Sequence, residues 1–225
     1  ALIDPPAGTV DLTTSGGGIV EAATASIVAT TLISSGGVVG GATLAGTANS
    51  IGTIGGFVAS TGNVIVVDSA ALTVAGSLGA TAGSISLTAP TLTVSGTVNA
   101  NTSAIVVAGA GGIALNSGGL VQGTTVDLSA TGGGITENAA AKISATVLQS
   151  TSNVTGTVDL AGTANSIGTI GNFAVSSGDF TLLDNAALLI SGTVSAANVL
   201  FRALGQRDPA NADFYNRQLA SIALA

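Results

Sequence analysis

Residues 62–96 read GNVIVVDSAALTVAGSLGATAGSISLTAPTLTVSG, and this stretch decides the fold. Val64 and Val66 alternate with their neighbours as one face of a strand does, and so do Leu72 and Val74. About twenty residues later the pattern returns as Ile85 and Leu87, then Leu92 and Val94. Further along, Ile105 and Val107 continue the first series to Val126 and Leu128, and Ile113 and Leu115 continue the second. A thinner third series is Leu78, Val98 and Leu120. Gly76, Gly96 and Gly118-Gly119 lie between the series, where a chain must turn.

Three short apolar strands recurring every twenty or so residues describe one coil of a parallel β-helix with three faces. The expected fold is therefore all-β: a single-stranded parallel β-helix of about 20 residues per coil. It would have roughly ten or eleven coils and a length of roughly 50 Å at ~4.8 Å per layer. Inward positions would stack as Val, Ile and Leu, while Thr, Ser, Asn and Asp face outward.

A second regularity runs through the chain. Leu44–Gly55 reads LAGTANSIGTIG, and Leu160–Gly171 reads the same. Val10-Asp11-Leu12 matches Val126-Asp127-Leu128, and Ala70-Ala71-Leu72 matches Ala186-Ala187-Leu188. Residues 10–80 thus repeat as 126–196 without a gap, with about half the positions identical. Leu44 follows Leu32 well short of a full coil, and Leu160 follows Leu148 at the same short interval. Ser34–Gly41 is accordingly read as a turn or a change of face.

Composition narrows the function. The net charge is −7, with four basic and eleven acidic residues, which argues against nucleic-acid binding. No apolar run approaches the ~18 residues of a spanning helix. With no Trp, one Tyr and five Phe, the chain lacks the aromatic girdles of a membrane barrel. There is no Cys and no His, so neither disulfides nor the common zinc ligands are present. The sequence starts at Ala1 without Met or signal peptide, as a processed chain or a piece of a longer one would.

The segments GNVIVVDSAALTVAG, GSISLTAPTLTVSGTVNA and SGDFTLLDNAALLISGTVSA resemble the repeat shafts of filamentous haemagglutinin-like exoproteins. These are large bacterial adhesins, commonly exported by two-partner secretion. The resemblance covers residues 8–200 and implies a right-handed helix, a secreted or bacterial cell-surface location, and a structural or adhesive role. It carries no catalytic residue and no cofactor. The partners it implies are flanking parts of a longer exoprotein, other copies end to end, and host or matrix glycans.

Residues 1–200 form the expected β-helix, and 201–225 a separate segment that caps it or joins it to another subunit. That segment holds Phe201, Arg202, Arg207, Phe214, Tyr215, Arg217 and Leu219 as candidate cap or contact residues. Asp208-Pro209 resembles an N-cap followed by Pro in the first turn, with Phe214, Tyr215, Leu219 and Ile222 near one helical face.

The alternative to a structural shaft is a glycan-binding or glycan-cleaving β-helix, and cleavage would need two carboxyls ~5–10 Å apart. Glu21 and Glu137, Asp11 and Asp127, and Asp68 and Asp184 are pairs separated by the full repeat, too far apart to cooperate. Asp159 and Asp179 lie about one coil apart and could stack on adjacent coils. Solvated strand-end aspartates are the simpler reading. Asn49 and Asn165 are read as corner asparagines that bond turn backbone. No catalytic, cofactor or metal residue is expected. Ice binding through Thr-x-Thr motifs is the weakest alternative, because such motifs are sporadic, as at Thr91-Leu92-Thr93.

Overall fold

A computed structural model describes residues 2–4 and 8–203. Among these, every regular element is a strand, and every strand pairing is parallel. The chain winds as a β-solenoid whose strands stack coil on coil. No helix among the described residues is long and apolar enough to cross a membrane.

Two core ladders run the length of the rod. The first links Ile19, Ala42, Val64, Ile85, Ala104, Val126, Leu148, Ile170 and Ile190. The second links Val10, Leu32, Ile54, Val74, Val94, Leu115, Glu137, Leu160, Leu182 and Phe201. A shorter third ladder joins Phe57, Leu78, Val98, Val121 and Ile143. Away from the two ends, nearly all of these side chains are buried. Each fully buried Val, Leu or Ile gains about 1.5–3 kcal/mol over an exposed one. Aromatic packing closes the C-terminal coils: Phe180 lies 4.8 Å from Phe173 and 5.6 Å from Phe201, centroid to centroid.

The expected ladders hold for Val64, Ile85 and Val126 and for Leu72–Val74, Leu92–Val94 and Ile113–Leu115. Between them one register is corrected. Ala104 and Val106 face inward, whereas Ile105 pairs with Ser86 and Asp127 on the outer side. In the third series Val121, not Leu120, follows Val98 in the core. A slip of one residue turns every side chain to the other face, and Ala104–Ala108 is apolar in both registers, so alternation alone does not choose between them.

The coil length is also corrected. Steps along the second ladder are unequal: Leu182 to Phe201 is the shortest and Glu137 to Leu160 the longest. The middle steps, Ile54 to Val74 and Val74 to Val94, keep the expected length, but those from Val10 to Leu32 and from Leu32 to Ile54 are longer. The longer coils carry glycine-rich corners such as Gly16–Gly18. The described chain therefore spans nine ladder steps, about 43 Å at ~4.8 Å each.

Ser34–Gly41 is indeed a change of face. Leu32 lies on the second ladder and Leu44 follows Ala42 on the first, while Val38 between them is buried and bridges Thr14 and Ala59. At the other end, the last described strand, Val199–Ala203, stacks on Phe180–Asp184.

Candidate functional site

Phe201 belongs to the coil itself, since it pairs with Leu182 and packs on the ring of Phe180. Arg202, its neighbour in the same strand, is exposed. Arg207, Phe214, Tyr215, Arg217, Leu219 and the helix expected after Asp208 lie outside the described residues.

Two largely buried polar clusters stand out, one in each copy of the repeat. In the first, Asn49 is fully buried at a corner. Its Oδ1 accepts from the Ile27 amide at 2.7 Å, and its Nδ2 donates to Glu21 Oε2 at 2.9 Å and to the Val67 carbonyl at 3.1 Å. Glu21 Oε2 also accepts from the Gly46 amide, and Asp68 accepts from the amides of Ile51 and Ala70. In the second, Asn165 makes the same bonds to Ile143, Glu137 Oε2 and Leu183. Gly162 and Asp184 take the places of Gly46 and Asp68. The asparagines thus do what the sequence indicates, bonding backbone, and each ties together three successive coils.

What sequence reading missed is that the carboxylates join them. Glu137 stands in the second core ladder between Leu115 and Leu160, a position otherwise apolar. One carboxylate oxygen of each glutamate, Glu21 Oε1 and Glu137 Oε1, is buried without a hydrogen-bond partner. Burial pushes the Glu137 carboxyl above its ordinary range. The Asn165 and Gly162 bonds oppose this rise and nearby Asp159 adds to it. Burial likewise raises Asp68 and Asp184 against their backbone bonds. Exposed Asp11 is lowered, chiefly by the hydroxyl and amide of Ser35. The signal for these clusters lies in the unequal intervals from Glu21 to Asn49 and from Asn49 to Asp68, repeated from Glu137 through Asn165 to Asp184. Only the coil geometry brings such positions together.

Asp159 and Asp179 do not form a pair. Asp159 aligns with Thr136 and Thr181, while Asp179 is exposed at a corner and accepts from Asn198 Nδ2 at 2.7 Å. Threonines, by contrast, are more regular than Thr-x-Thr motifs suggest. Thr9, Thr31, Thr53, Thr73 and Thr93 occupy one outward column, one per coil. The column beside it begins with Asp11 and Ile33, so the threonines form a single file.

One polar recess crosses several coils. It has a volume of about 580 Å³ and is floored by Ala80, Ala100, Gly123 and Ala145. Its two rims are columns of amide and hydroxyl side chains: Asn99, Gln122, Ser144 and Ser166 on one side, Asn101, Thr124 and Thr146 on the other. The strand Leu120–Ala130 runs unbroken over a corner at which the preceding coil divides into Thr97–Ala100 and Ser103–Leu115. On the first ladder the step from Ile85 to Ala104 is shorter than the step from Ala104 to Val126, so a short coil meets a longer one here.

The class defined by this geometry is the single-stranded parallel β-solenoid. No family model matches the chain, and comparison with curated proteins and with solved structures found no match.

Proposed function

We propose that the chain is a structural, non-catalytic shaft of the adhesin or fibre type, secreted or displayed on a bacterial surface. The observation that carries this reading is the second core ladder, unbroken from Val10 to Phe201. A solenoid of this kind resists bending because each coil is bonded to the next by a full set of backbone hydrogen bonds and packed side chains. Its length scales with the number of coils, which suits a spacer that carries a binding surface away from a cell. The −7 charge and low content of charged residues fit a rod that does not bind polyanions.

Its partners in this reading are flanking coils of a longer exoprotein or further copies end to end. In support, the first and last described coils carry exposed apolar residues on short strands: Leu2 and Val20 in the one, Leu189 in the other. An exposed strand edge is a template for another strand. Small-angle scattering and electron microscopy of the purified chain test the proposal. Rods about 43 Å long or multiples of that length are expected. A compact, isotropic particle would rule it out. Antibody labelling of intact source cells tests the location, and labelling only after lysis would count against the surface reading.

A further inference from the structure

We propose that the recess between the Asn99 and Asn101 columns binds an uncharged polysaccharide chain lying along the rod. The inference rests on the groove itself, independently of the shaft reading. None of its described lining residues is charged, and its rims are amides and hydroxyls. Asn and Gln side chains offer both a donor and an acceptor, and Ser and Thr hydroxyls can serve as either. A sugar hydroxyl also does both, so each rim residue finds a complementary group on a polyol. No cation lines the recess among the described residues; Lys142, one outward position before Ser144 in the same strand, lies outside the lining.

An extended peptide is the competing ligand, and the strand pairing disfavours it. Strands Thr97–Ala100, Leu120–Ala130 and Lys142–Gln149 are each paired on both sides, so no backbone edge is open for strand addition. The floor offers only small side chains, with no apolar pocket for a side-chain anchor.

Spacing also favours a repeating chain. Asn99, Gln122, Ser144 and Ser166 recur once per coil, at ~4.8 Å, over four coils. Each ring of an extended linear glycan advances the chain by a comparable interval, so successive sugars can each offer a hydroxyl to successive rim residues along the column. Among the described residues no aromatic side chain lines the recess to stack on a sugar ring. Affinity must then come from many hydrogen bonds, and it should grow with chain length.

The test is titration of the purified chain with cellohexaose, mannohexaose and maltohexaose, followed by amide and side-chain NH₂ signals in NMR spectra. Cellobiose, a heparin hexasaccharide and a Ser-Gly dodecapeptide complete the set. At least one neutral hexasaccharide should shift the NH₂ signals of Asn99, Asn101 and Gln122, binding at least tenfold tighter than cellobiose. The variant Asn99→Ala/Gln122→Ala should lose at least tenfold in affinity with its melting temperature unchanged. Ser144→Trp, which fills the groove, should abolish binding. The proposal is overturned if no neutral hexasaccharide binds, or if the shifts map elsewhere. It also fails if both variants bind as the parent does, or if heparin or the peptide binds the groove more tightly.

Discussion

Val10 and Val126 are equivalent in the internal repeat, yet they stand on different core ladders. Val10 begins the second ladder, and Val126 is the sixth member of the first. Five steps from Val10 reach Leu115 and six reach Glu137, so Val126 falls midway between them in the chain. The repeat is thus five and a half coils long. Its second copy is turned by about half a revolution relative to the first. Ile19, on the first ladder, has its counterpart in Ile135, which neighbours the second. The two acid–amide clusters consequently face different flanks of the rod. One sequence can serve both flanks because, Glu137 apart, both ladders take an apolar side chain between two like neighbours.

The register at Ala104–Ala108 predicts opposite outcomes for adjacent residues. Val106→Asp places a charge among Leu87, Leu128 and their neighbours, without a partner. Breaking a core in this way costs about 3–5 kcal/mol. Ile105→Thr changes an outward residue beside Ser86 and should cost about 1 kcal/mol or less. Urea unfolding of the two variants checks this. Equal losses would mean that the inward residue is misassigned.

How much of this was legible follows from the same residues. The period and the alternation at Val64–Val67 and Leu92–Val94 are local, and they declare a stacked parallel strand. The face change at Ser34–Gly41 is visible as a broken interval. Ile105 misled because a larger apolar residue stood beside Ala104, and bulk is no guide where both registers are apolar. The Glu21–Asn49–Asp68 cluster was hidden because its members are ordinary residues at unequal spacings. The threonine column escaped for a similar reason, since its steps shorten after Thr53 and match no fixed motif. Coil length, a tertiary quantity, had to be known first.

Mild acid should stabilise the fold. Glu137, Asp68 and Asp184 have folded-state pKa values raised above their ordinary 4.5, 3.8 and 3.8. The folded chain then holds more protons than the unfolded chain just above those values. Their contribution is full below the ordinary values and is lost as pH rises through the raised ones. Asp11 acts oppositely: its contribution is present above 3.8 and is lost as pH falls through its lowered value. The melting temperature should therefore be higher at pH 5 than at pH 8. Glu137→Gln should narrow that difference, since its amide stays neutral throughout. A Glu137→Gln profile parallel to the parent's would remove Glu137 from the account.

Removing a corner asparagine should be expensive. Asn165→Ala removes the side-chain partner of the Ile143 amide and of the Leu183 carbonyl, and takes one of two donors from Glu137 Oε2, which keeps the Gly162 amide. At about 1–3 kcal/mol per buried unsatisfied group, the two groups together should cost about 2 kcal/mol or more. Asn49→Ala should cost a similar amount, because its bonds are the same. The clusters share no residue, so the double variant should lose the sum within about 0.5 kcal/mol, provided unfolding stays two-state. A smaller combined loss would show that the two flanks are coupled.

The closest approach between coils gives the sharpest contrast. Gly55, Gly76 and Gly96 succeed one another where adjacent coils nearly touch. A Cβ on Gly76 would lie 1.1 Å from the Gly55 carbonyl oxygen, and one on Gly96 would lie 2.2 Å from the Gly76 oxygen. Neither obstacle is a side chain that could swing aside; both are backbone. The second copy repeats the feature, with a Cβ on Gly192 at 2.4 Å from the Gly171 carbonyl carbon. Gly76→Ala must therefore push two coils apart and forfeit the backbone bonds that join them there, at a cost of several kcal/mol, on the order of a severe core defect. Gly56, close by, has nothing within 4 Å of its Cβ position. Gly56→Ala should be neutral, or stabilising by about 0.4–1 kcal/mol through the unfolded chain. Thermal melts of the two single variants decide the matter: a Gly76→Ala protein as stable as Gly56→Ala would mean that these coils are not stacked in this register.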